Sequence, residues 1–147
     1  MKRFCVFWLP LVACAQGPPQ PASLDTRNES CSFCRMAISD ARFAAQLVAP
    51  AEEPRFFDDI GCLRDYWKGA AERPAGAVAF VADHRTKAWV RAGQALYTQV
   101  PGLETPMGSQ PIAHATAASR EADPAAAGGT PRSAADVFGA PGPPGGP

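Results

Sequence analysis

The sequence predicts an α+β fold made of two small, related strand-strand-helix-strand halves that pack together. Short apolar segments separated by turn residues indicate strands, and one segment after Asp59 has apolar residues at helical spacing. Residues 96–97 follow a strand much as residues 63–66 do, which suggests an internal repeat. A chain of 147 residues has room for one ordinary domain.

The first half is predicted to contain three strands and one helix. Residues 36–38, 43–48 and 55–57 have the composition of strands. Asp58 or Asp59 is expected to cap a helix whose apolar face is formed by Ile60, Leu63 and Trp67, and Gly69 is placed to end it.

The second half begins with a predicted hairpin. Residues 77–82 and 88–90 are its strands, and residues 83–86 form its turn. We predict a short helical patch over 93–97, a strand over 112–116, and a helix over 117–127 that Pro124 kinks or ends.

The N-terminus has the features of an export signal. Residues 1–3 are basic at two positions, residues 4–12 are almost wholly apolar, and the apolar run is too short to span a bilayer. Residues 11–14, Leu-Val-Ala-Cys, resemble a bacterial lipobox, which predicts cleavage after residue 13 and lipidation of Cys14. An ordinary signal peptide cut after Ala13 or Ala15 is the alternative.

The predicted organisation has four parts: a lipoprotein signal peptide over 1–13, a flexible tether over 14–27, the folded domain over 28–138, and a disordered tail over 139–147. The tether and tail are rich in proline and glycine and offer little apolar surface to offset ordering entropy. Lysine plus arginine equal aspartate plus glutamate at 14 each, so no basic field favours nucleic acid.

Three cysteines belong to the mature domain: Cys31, Cys34 and Cys62. Covalent haem is excluded because Arg35, not histidine, follows the second cysteine of the C-x-x-C motif. An exported thiol-disulfide redox protein that uses Cys31 and Cys34 is an alternative, although such motifs usually begin a helix and residues 36–38 read as strand.

Two further interpretations remain open. A structural disulfide between Cys31 and Cys34 suits an exported protein but leaves the methionines unexplained. Zinc bound by the three cysteines and either His84 or His114 would lack the closely spaced second ligand pair of structural zinc sites.

Copper(I) accounts best for the methionines, because this soft ion selects thiolate and thioether ligands. Met36 lies two residues after Cys34, so on an extended strand both side chains would share a face. Met107 lies between Pro106 and Gly108 in an irregular loop that can present a thioether.

Several motifs in order resemble the NosL family. The series spans about Asn28 to Thr116 and consists of Cys31-Ser32-Phe33-Cys34-Arg35-Met36, Phe57-Asp58-Asp59-Ile60-Gly61-Cys62-Leu63, a hairpin with Trp89, Ala95-Leu96-Tyr97, and Thr105-Pro106-Met107-Gly108. The resemblance implies a lipoprotein of two similar α+β halves, akin to the organomercurial lyase fold, that binds one copper(I) ion.

By resemblance, the copper ligands are Cys34, Met36 and Met107, with Cys31 next and Cys62 or a histidine as outside candidates. The family implies a periplasmic lipoprotein chaperone that delivers copper(I) through the NosDFY membrane complex to nitrous-oxide reductase. Ala15, rather than aspartate, follows Cys14, which suggests anchoring in the outer membrane. No enzyme activity is expected.

The sequence departs from the family pattern at two places. Gly128-Gly129 is followed by Thr-Pro-Arg-Ser rather than by an apolar strand, so the pattern does not predict a last strand here. His114 occupies a position where an aromatic residue is commoner, and its surroundings are poor in large apolar residues, so we predict an exposed side chain.

Overall fold

The first half of the molecule is a four-stranded antiparallel sheet with one helix. The computed structural model describes residues 17–71, 73–140 and 142–146. The strands, β1 to β4, lie in the order β2-β1-β3-β4, and α1 connects β2 to β3. Their bounds are β1 Ala45–Val48, β2 Arg55–Phe57, α1 Ile60–Gly69, β3 Val78–Ala82 and β4 Trp89–Arg91.

The second half is a three-stranded antiparallel sheet with short helices. The strand order is β6-β5-β7, and α2 connects β6 to β7 through a 3-10 turn. The bounds are β5 Leu96–Gln99, β6 Pro111–His114, α2 Ala117–Glu121, the 3-10 turn Pro124–Ala126, β7 Thr130–Arg132 and α3 Ala134–Phe138. The α+β fold class is therefore confirmed.

The two halves share one topology. Each runs strand, strand, helix, strand, and in each the first strand lies between the other two, as β2-β1-β3 and as β6-β5-β7. The residue match that suggested the repeat is wrong, because Leu96 and Tyr97 belong to strand β5 and correspond to β1, not to the helix. Tyr97 pairs with Ala113 on one side and Arg132 on the other, and this double pairing outweighs local helix preference.

Helix α1 matches its prediction closely. Asp59 is the N-cap, with extended backbone, and its carboxylate accepts a hydrogen bond of 2.6 Å from the Gly61 amide. Ile60 and Leu63 are buried, and Trp67 packs partly buried against the same core. The helix therefore begins and buries its apolar face where the spacing indicates.

The halves are joined where β3 and β6 end. A parallel bridge pairs Asp83 with Ala113, and the His84 amide donates to the Ala113 carbonyl at 2.8 Å. The Asp83 carboxylate accepts from the Ala115 amide at 2.8 Å and from the Ser119 hydroxyl at 3.0 Å. Asp83 thus links the end of one sheet to the next helix of the other half.

Two strand predictions differ from the structure. Residues 36–38 form no strand, and only Ala37 makes an isolated bridge, with Ser30. The strand that was in doubt after Gly129 does exist, as β7, even though it is exposed and contains a proline. Pairing with the central strand β5 supplies its backbone partners, so an apolar sequence is not required there.

Both predicted disordered ends contain ordered contacts within their described residues. In the tether, the Gln46 side chain accepts from the Ala22 amide at 2.8 Å and donates to the Ala22 carbonyl at 3.1 Å. In the tail, the Pro144 carbonyl accepts from the Ala79 amide at 3.0 Å. Ala22 and Pro144 thus each contact a strand of the first sheet through a backbone group.

The predicted signal peptide and lipidated Cys14 lie outside the described residues. Among the residues that the structure does describe, no helix is long and apolar enough to cross a membrane.

Candidate metal centre

The C-x-x-C motif lies in a tight loop. The Cys31 amide donates to the Met36 carbonyl at 2.8 Å, and the Arg35 amide donates back to the Cys31 carbonyl at 3.0 Å. Arg35 has a φ of 69°, in the left-handed region. Because the backbone turns here, strand alternation cannot place Cys34 and Met36 on one face, and that part of the sequence argument is wrong.

The loop is anchored at the end of β2. The Ser32 amide donates to the Phe56 carbonyl at 2.8 Å. Asp58 follows β2 directly, and Cys62 lies in the first turn of α1. A single backbone contact therefore brings the loop cysteines to the junction between a strand and a helix.

Three thiols and one carboxylate meet at this junction. The Sγ atoms of Cys31, Cys34 and Cys62 and a carboxylate oxygen of Asp58 all lie within 4.8 Å of one another. Metal–sulfur bonds of about 2.3 Å hold two sulfurs at most about 4.6 Å apart, so small side-chain movements would bring the thiols to ligand distance. No disulfide joins Cys31, Cys34 and Cys62 in the structure, and Cys62, an outside candidate by resemblance, belongs to the cluster.

Burial is uneven across the cluster. Cys31, Cys62 and Asp58 are buried, whereas Cys34 is only partly buried. The cluster therefore opens to the surface on the side of Cys34. A metal ion entering or leaving would meet this sulfur first.

The surroundings of Cys34 and Cys62 raise the pKa of both thiols. Asp58 accepts from the Cys34 thiol, with the sulfur 3.4 and 3.5 Å from the two carboxylate oxygens. Burial raises the pKa of the Cys34 thiol, and the hydrogen bond to Asp58 adds to the rise. Burial, together with Asp58, raises the pKa of the Cys62 thiol far above its ordinary value. Binding of a metal by these sulfurs must therefore displace protons.

The Met107 loop is held at the same helix start by Asp59. One oxygen of Asp59 accepts from the Thr105 hydroxyl at 2.8 Å and from the Met107 amide at 3.1 Å, and the other accepts from the Ser109 hydroxyl. Asp59 is the chain neighbour of Asp58, which contacts Cys34. The helix cap that the sequence predicted thus also holds the Met107 loop at the start of α1.

Gly61 allows this close approach. A Cβ atom at Gly61 would lie 2.6 Å from the Ser109 Cβ, far closer than side chains tolerate. The motif Asp59-Ile60-Gly61 therefore does two things at once, since it caps α1 and leaves room for the Met107 loop. The glycine in this motif was a sequence signal for the contact that the sequence reasoning did not use.

Large apolar side chains are exposed on the cysteine loop and on the Met107 loop. Among the described residues, the exposed large hydrophobic side chains are Met36 at 56%, Met107 at 47% and Phe33 at 46%. Phe33 and Met36 belong to the cysteine loop, and Met107 belongs to the loop held by Asp59. Both thioethers are accessible from solvent, and their part in metal binding stays a prediction.

A second cluster lies at the junction of the two halves. Asp123 Oδ2 lies 2.6 Å from His84 Nδ1 and 2.9 Å from His114 Nε2. His114 is 0% exposed, so the prediction of an exposed side chain is wrong. Its burial comes from Asp123 and His84, which the local sequence around His114 cannot reveal. Within the described residues the histidines group with Asp123, separately from the cysteines, which does not support a mixed zinc site.

Comparison with known proteins identifies the family. No curated protein matches the chain. The NosL family model matches residues 21–140, which are 120 of the 147 residues and include Cys31, Cys34, Met36, Cys62 and Met107. The chain therefore belongs to the NosL family.

Proposed function

We propose that this protein is a copper(I) chaperone that binds one ion at the thiol cluster and delivers it for assembly of the copper centres of nitrous-oxide reductase. The observation that carries the proposal is the cluster of Cys31, Cys34 and Cys62, close together and without a disulfide, in a member of the NosL family. Thiolates and thioethers are the ligands that copper(I) selects.

The ligand set we propose is Cys34, Met36 and Met107, with Cys31 as a fourth candidate. Cys34 is the least buried of the three thiols, and Met36 follows it in the same anchored loop. Met107 is held by its own amide to Asp59, beside the residue that contacts Cys34. The exposure of both thioethers supports this ligand set, because they are accessible to an incoming ion.

This arrangement suits a carrier. Copper(I) bound near Cys34 would have buried sulfur behind it and mobile thioethers in front, so an incoming ligand could replace one thioether at a time. The exposed side chains around the opening provide an apolar contact surface for a partner. We propose the NosDFY-type membrane complex as that partner, which passes copper onward to nitrous-oxide reductase.

We further propose that the chain is an exported, periplasmic lipoprotein, with lipid on Cys14 anchoring it in the outer membrane. The basic, apolar and lipobox-like segments over residues 1–14 support this location. A lipid anchor confines the search for a partner to the membrane surface.

The thiol-disulfide alternative has less support. Redox-active C-x-x-C motifs work through a thiol whose pKa is lowered, commonly at a helix start. Here burial and Asp58 raise the pKa of the Cys34 thiol, and the motif lies in a loop. A thiol held protonated attacks disulfides slowly but can still exchange its proton for a metal ion.

Competitive titration with copper(I) tests the proposal. The reduced chain from residue 15 onward is titrated against a colorimetric copper(I) chelator, alongside Met36→Leu and Met107→Leu. We expect one tightly bound ion in the parent and a large loss of affinity in both variants. The matched control is Phe33→Leu, which changes the same apolar surface without removing a thioether and should bind like the parent.

Two results would argue against the proposal. Absence of tight copper(I) binding by the reduced parent chain would remove the carrier function. Binding that is equally tight in Met36→Leu, Met107→Leu and the parent would remove the thioethers from the site and leave a thiol-only centre.

A further inference from the structure

The histidine cluster is assembled from three separate elements. His84 follows β3, His114 ends β6, and Asp123 caps the 3-10 turn after α2. One nitrogen of each ring and one oxygen of the carboxylate lie within 4.8 Å of one another, and all three residues are buried. The thiol cluster does not include any of these residues.

The cluster is not fully satisfied by hydrogen bonds within the protein. Both imidazoles turn one nitrogen toward the same oxygen of Asp123. The opposite nitrogens, His84 Nε2 and His114 Nδ1, are buried without a hydrogen-bond partner. Buried polar atoms are nearly always paired, so these two ring nitrogens, which are not the ones that face Asp123, leave the cluster incompletely satisfied.

The neighbouring Asp83 shows what a purely structural carboxylate looks like in this fold. Its oxygens accept from the amides of Arg85, Thr86 and Ala115 and from the Ser119 hydroxyl. Asp123 accepts from one backbone amide, that of Ala125, and otherwise faces the two imidazoles. Its negative charge is thus buried mainly against two rings that are known ligands of metals.

The donor atoms match one class of ion. Two imidazole nitrogens and one carboxylate oxygen suit borderline divalent ions, and the combination of two histidines with one carboxylate is a known zinc ligand set. Copper(I) prefers sulfur, so the two clusters differ in the ion they select. We propose that His84, His114 and Asp123 form a second metal site, which binds a divalent ion of the zinc class.

The change of geometry on binding is small. Bonds of about 2.0 to 2.1 Å in a tetrahedral arrangement place ligand atoms about 3.3 Å apart. The contacts of 2.6 and 2.9 Å to Asp123 would therefore open by less than about 1 Å. Metal binding requires the ring nitrogen of each imidazole that faces Asp123 to be free of a proton, so in the occupied site each ring would carry its proton on its other nitrogen.

An ion bound at this site would hold the two halves of the molecule together. Its ligands come from both halves of the molecule, so the bound ion would cross-link the end of β3 to β6 and to the turn after α2. This role is independent of copper delivery, because it uses no thiol and no thioether.

Zinc retention and cobalt spectra test the site in the reduced chain from residue 15 onward, which contains every residue that the structure describes. We expect the parent to retain one more zinc equivalent after dialysis than His84→Asn or His114→Asn. Cobalt(II) at this site gives visible d–d bands that disappear in the same variants, whereas thiolate-to-cobalt charge transfer from the cysteines persists. Asp83→Asn, which weakens the same junction without removing a ligand, is the matched control and keeps the zinc.

Equal zinc retention and unchanged visible cobalt bands in the parent and both histidine variants would overturn the second site. If a histidine variant does not fold, anomalous scattering from zinc-loaded crystals of the parent decides the question. An anomalous peak between the two imidazoles and Asp123 supports the site, and no peak there at zinc saturation overturns it. Neither result depends on copper binding, so this proposal and the chaperone function can fail separately.

Discussion

The thiol cluster and the histidine cluster differ in how the chain builds them. The thiol cluster draws on residues 31–62, all in the first half, and opens to the surface at Cys34. The histidine cluster joins the two halves and is buried, with His114 fully so. The half-open cluster is thus built from one half, whereas the buried cluster lies where separation of the halves would expose it.

The largest expected effect is a loss of copper(I) affinity when the thiol cluster is changed, with little loss when the histidine cluster is changed. Cys34→Ser removes the half-buried sulfur, and we expect copper(I) affinity to fall by at least about 100-fold, because loss of even outer partners of metal ligands costs about 10- to 100-fold. His84→Asn is the matched change at the other cluster and should alter copper(I) affinity little. Chelator competition on the reduced proteins measures both.

Equal losses in Cys34→Ser and His84→Asn would contradict this comparison, since they would make the clusters one functional unit. Circular dichroism of each variant separates loss of a ligand from loss of the fold.

The second prediction concerns the junction that encloses the histidine cluster. Burial alone would raise the pKa of Asp83, but hydrogen bonds from Ala115, Thr86 and Ser119 outweigh it and lower the pKa to about 2, against 3.8 without these contacts. The folded pKa is below the unfolded one, so the stabilisation is present above about pH 4 and is lost as the pH falls toward 2. The shift corresponds to about 2 kcal/mol of unfolding free energy.

Asp83→Asn should therefore be about 2 kcal/mol less stable at pH 7, and its stability should change less than that of the parent between pH 4 and pH 2. Urea unfolding at a series of pH values measures this. Asp136→Asn changes an exposed carboxylate that caps α3 and should cost less. An unchanged acid dependence in Asp83→Asn would mean that other carboxyl groups control acid unfolding.

The smallest expected effect tests the link between the Met107 loop and the thiol cluster. Gly61→Ala places a methyl group against Ser109 and should displace the loop, lowering copper(I) affinity by about tenfold, the size of an outer-contact effect. Gly69→Ala is the matched control, because its Cβ meets nothing within 4 Å. In both variants alanine favours the helix by about 0.5 to 1 kcal/mol, so a loss specific to Gly61→Ala comes from the clash.

Copper(I) affinity that is the same in Gly61→Ala and Gly69→Ala would show that the position of the Met107 loop does not matter for binding. Titration with copper(I) against the chelator measures this affinity, and thermal unfolding checks that α1 remains intact in both variants.

Local signals in the sequence predicted part of the first half, but they added a strand over 36–38 that does not form and assigned the β3–β4 hairpin to the second half. The cap at Asp59, the apolar face of α1 and the hairpin of β3 and β4 all depend on residues close together in the chain, and these predictions are confirmed. Strand β5 was mistaken for a helical patch because its identity comes from pairing with β6 and β7, which follow it at a distance.

The candidate centre was also predictable only where its residues lie close together in the chain. Cys31 and Cys34 stand out by spacing, but Cys62 joins them only because the loop is hydrogen-bonded to the end of β2. His114 looked exposed because Ala113 and Ala115 are small, whereas its actual neighbours come from far along the chain. Contacts across the two halves leave no periodic pattern in the sequence.

The contact of the tail with β3 has a consequence for how the protein avoids self-association. Strand β4 pairs with β3 only as far as Phe80, and the next amide along β3, that of Ala79, is covered by the Pro144 carbonyl. Uncovered strand edges are templates for pairing with other chains, and proline is well suited to cover one because it has no N–H to offer a further strand. Truncation after Gly139 would expose this amide. We therefore expect the shortened chain to self-associate more readily, through the part of β3 that β4 does not cover.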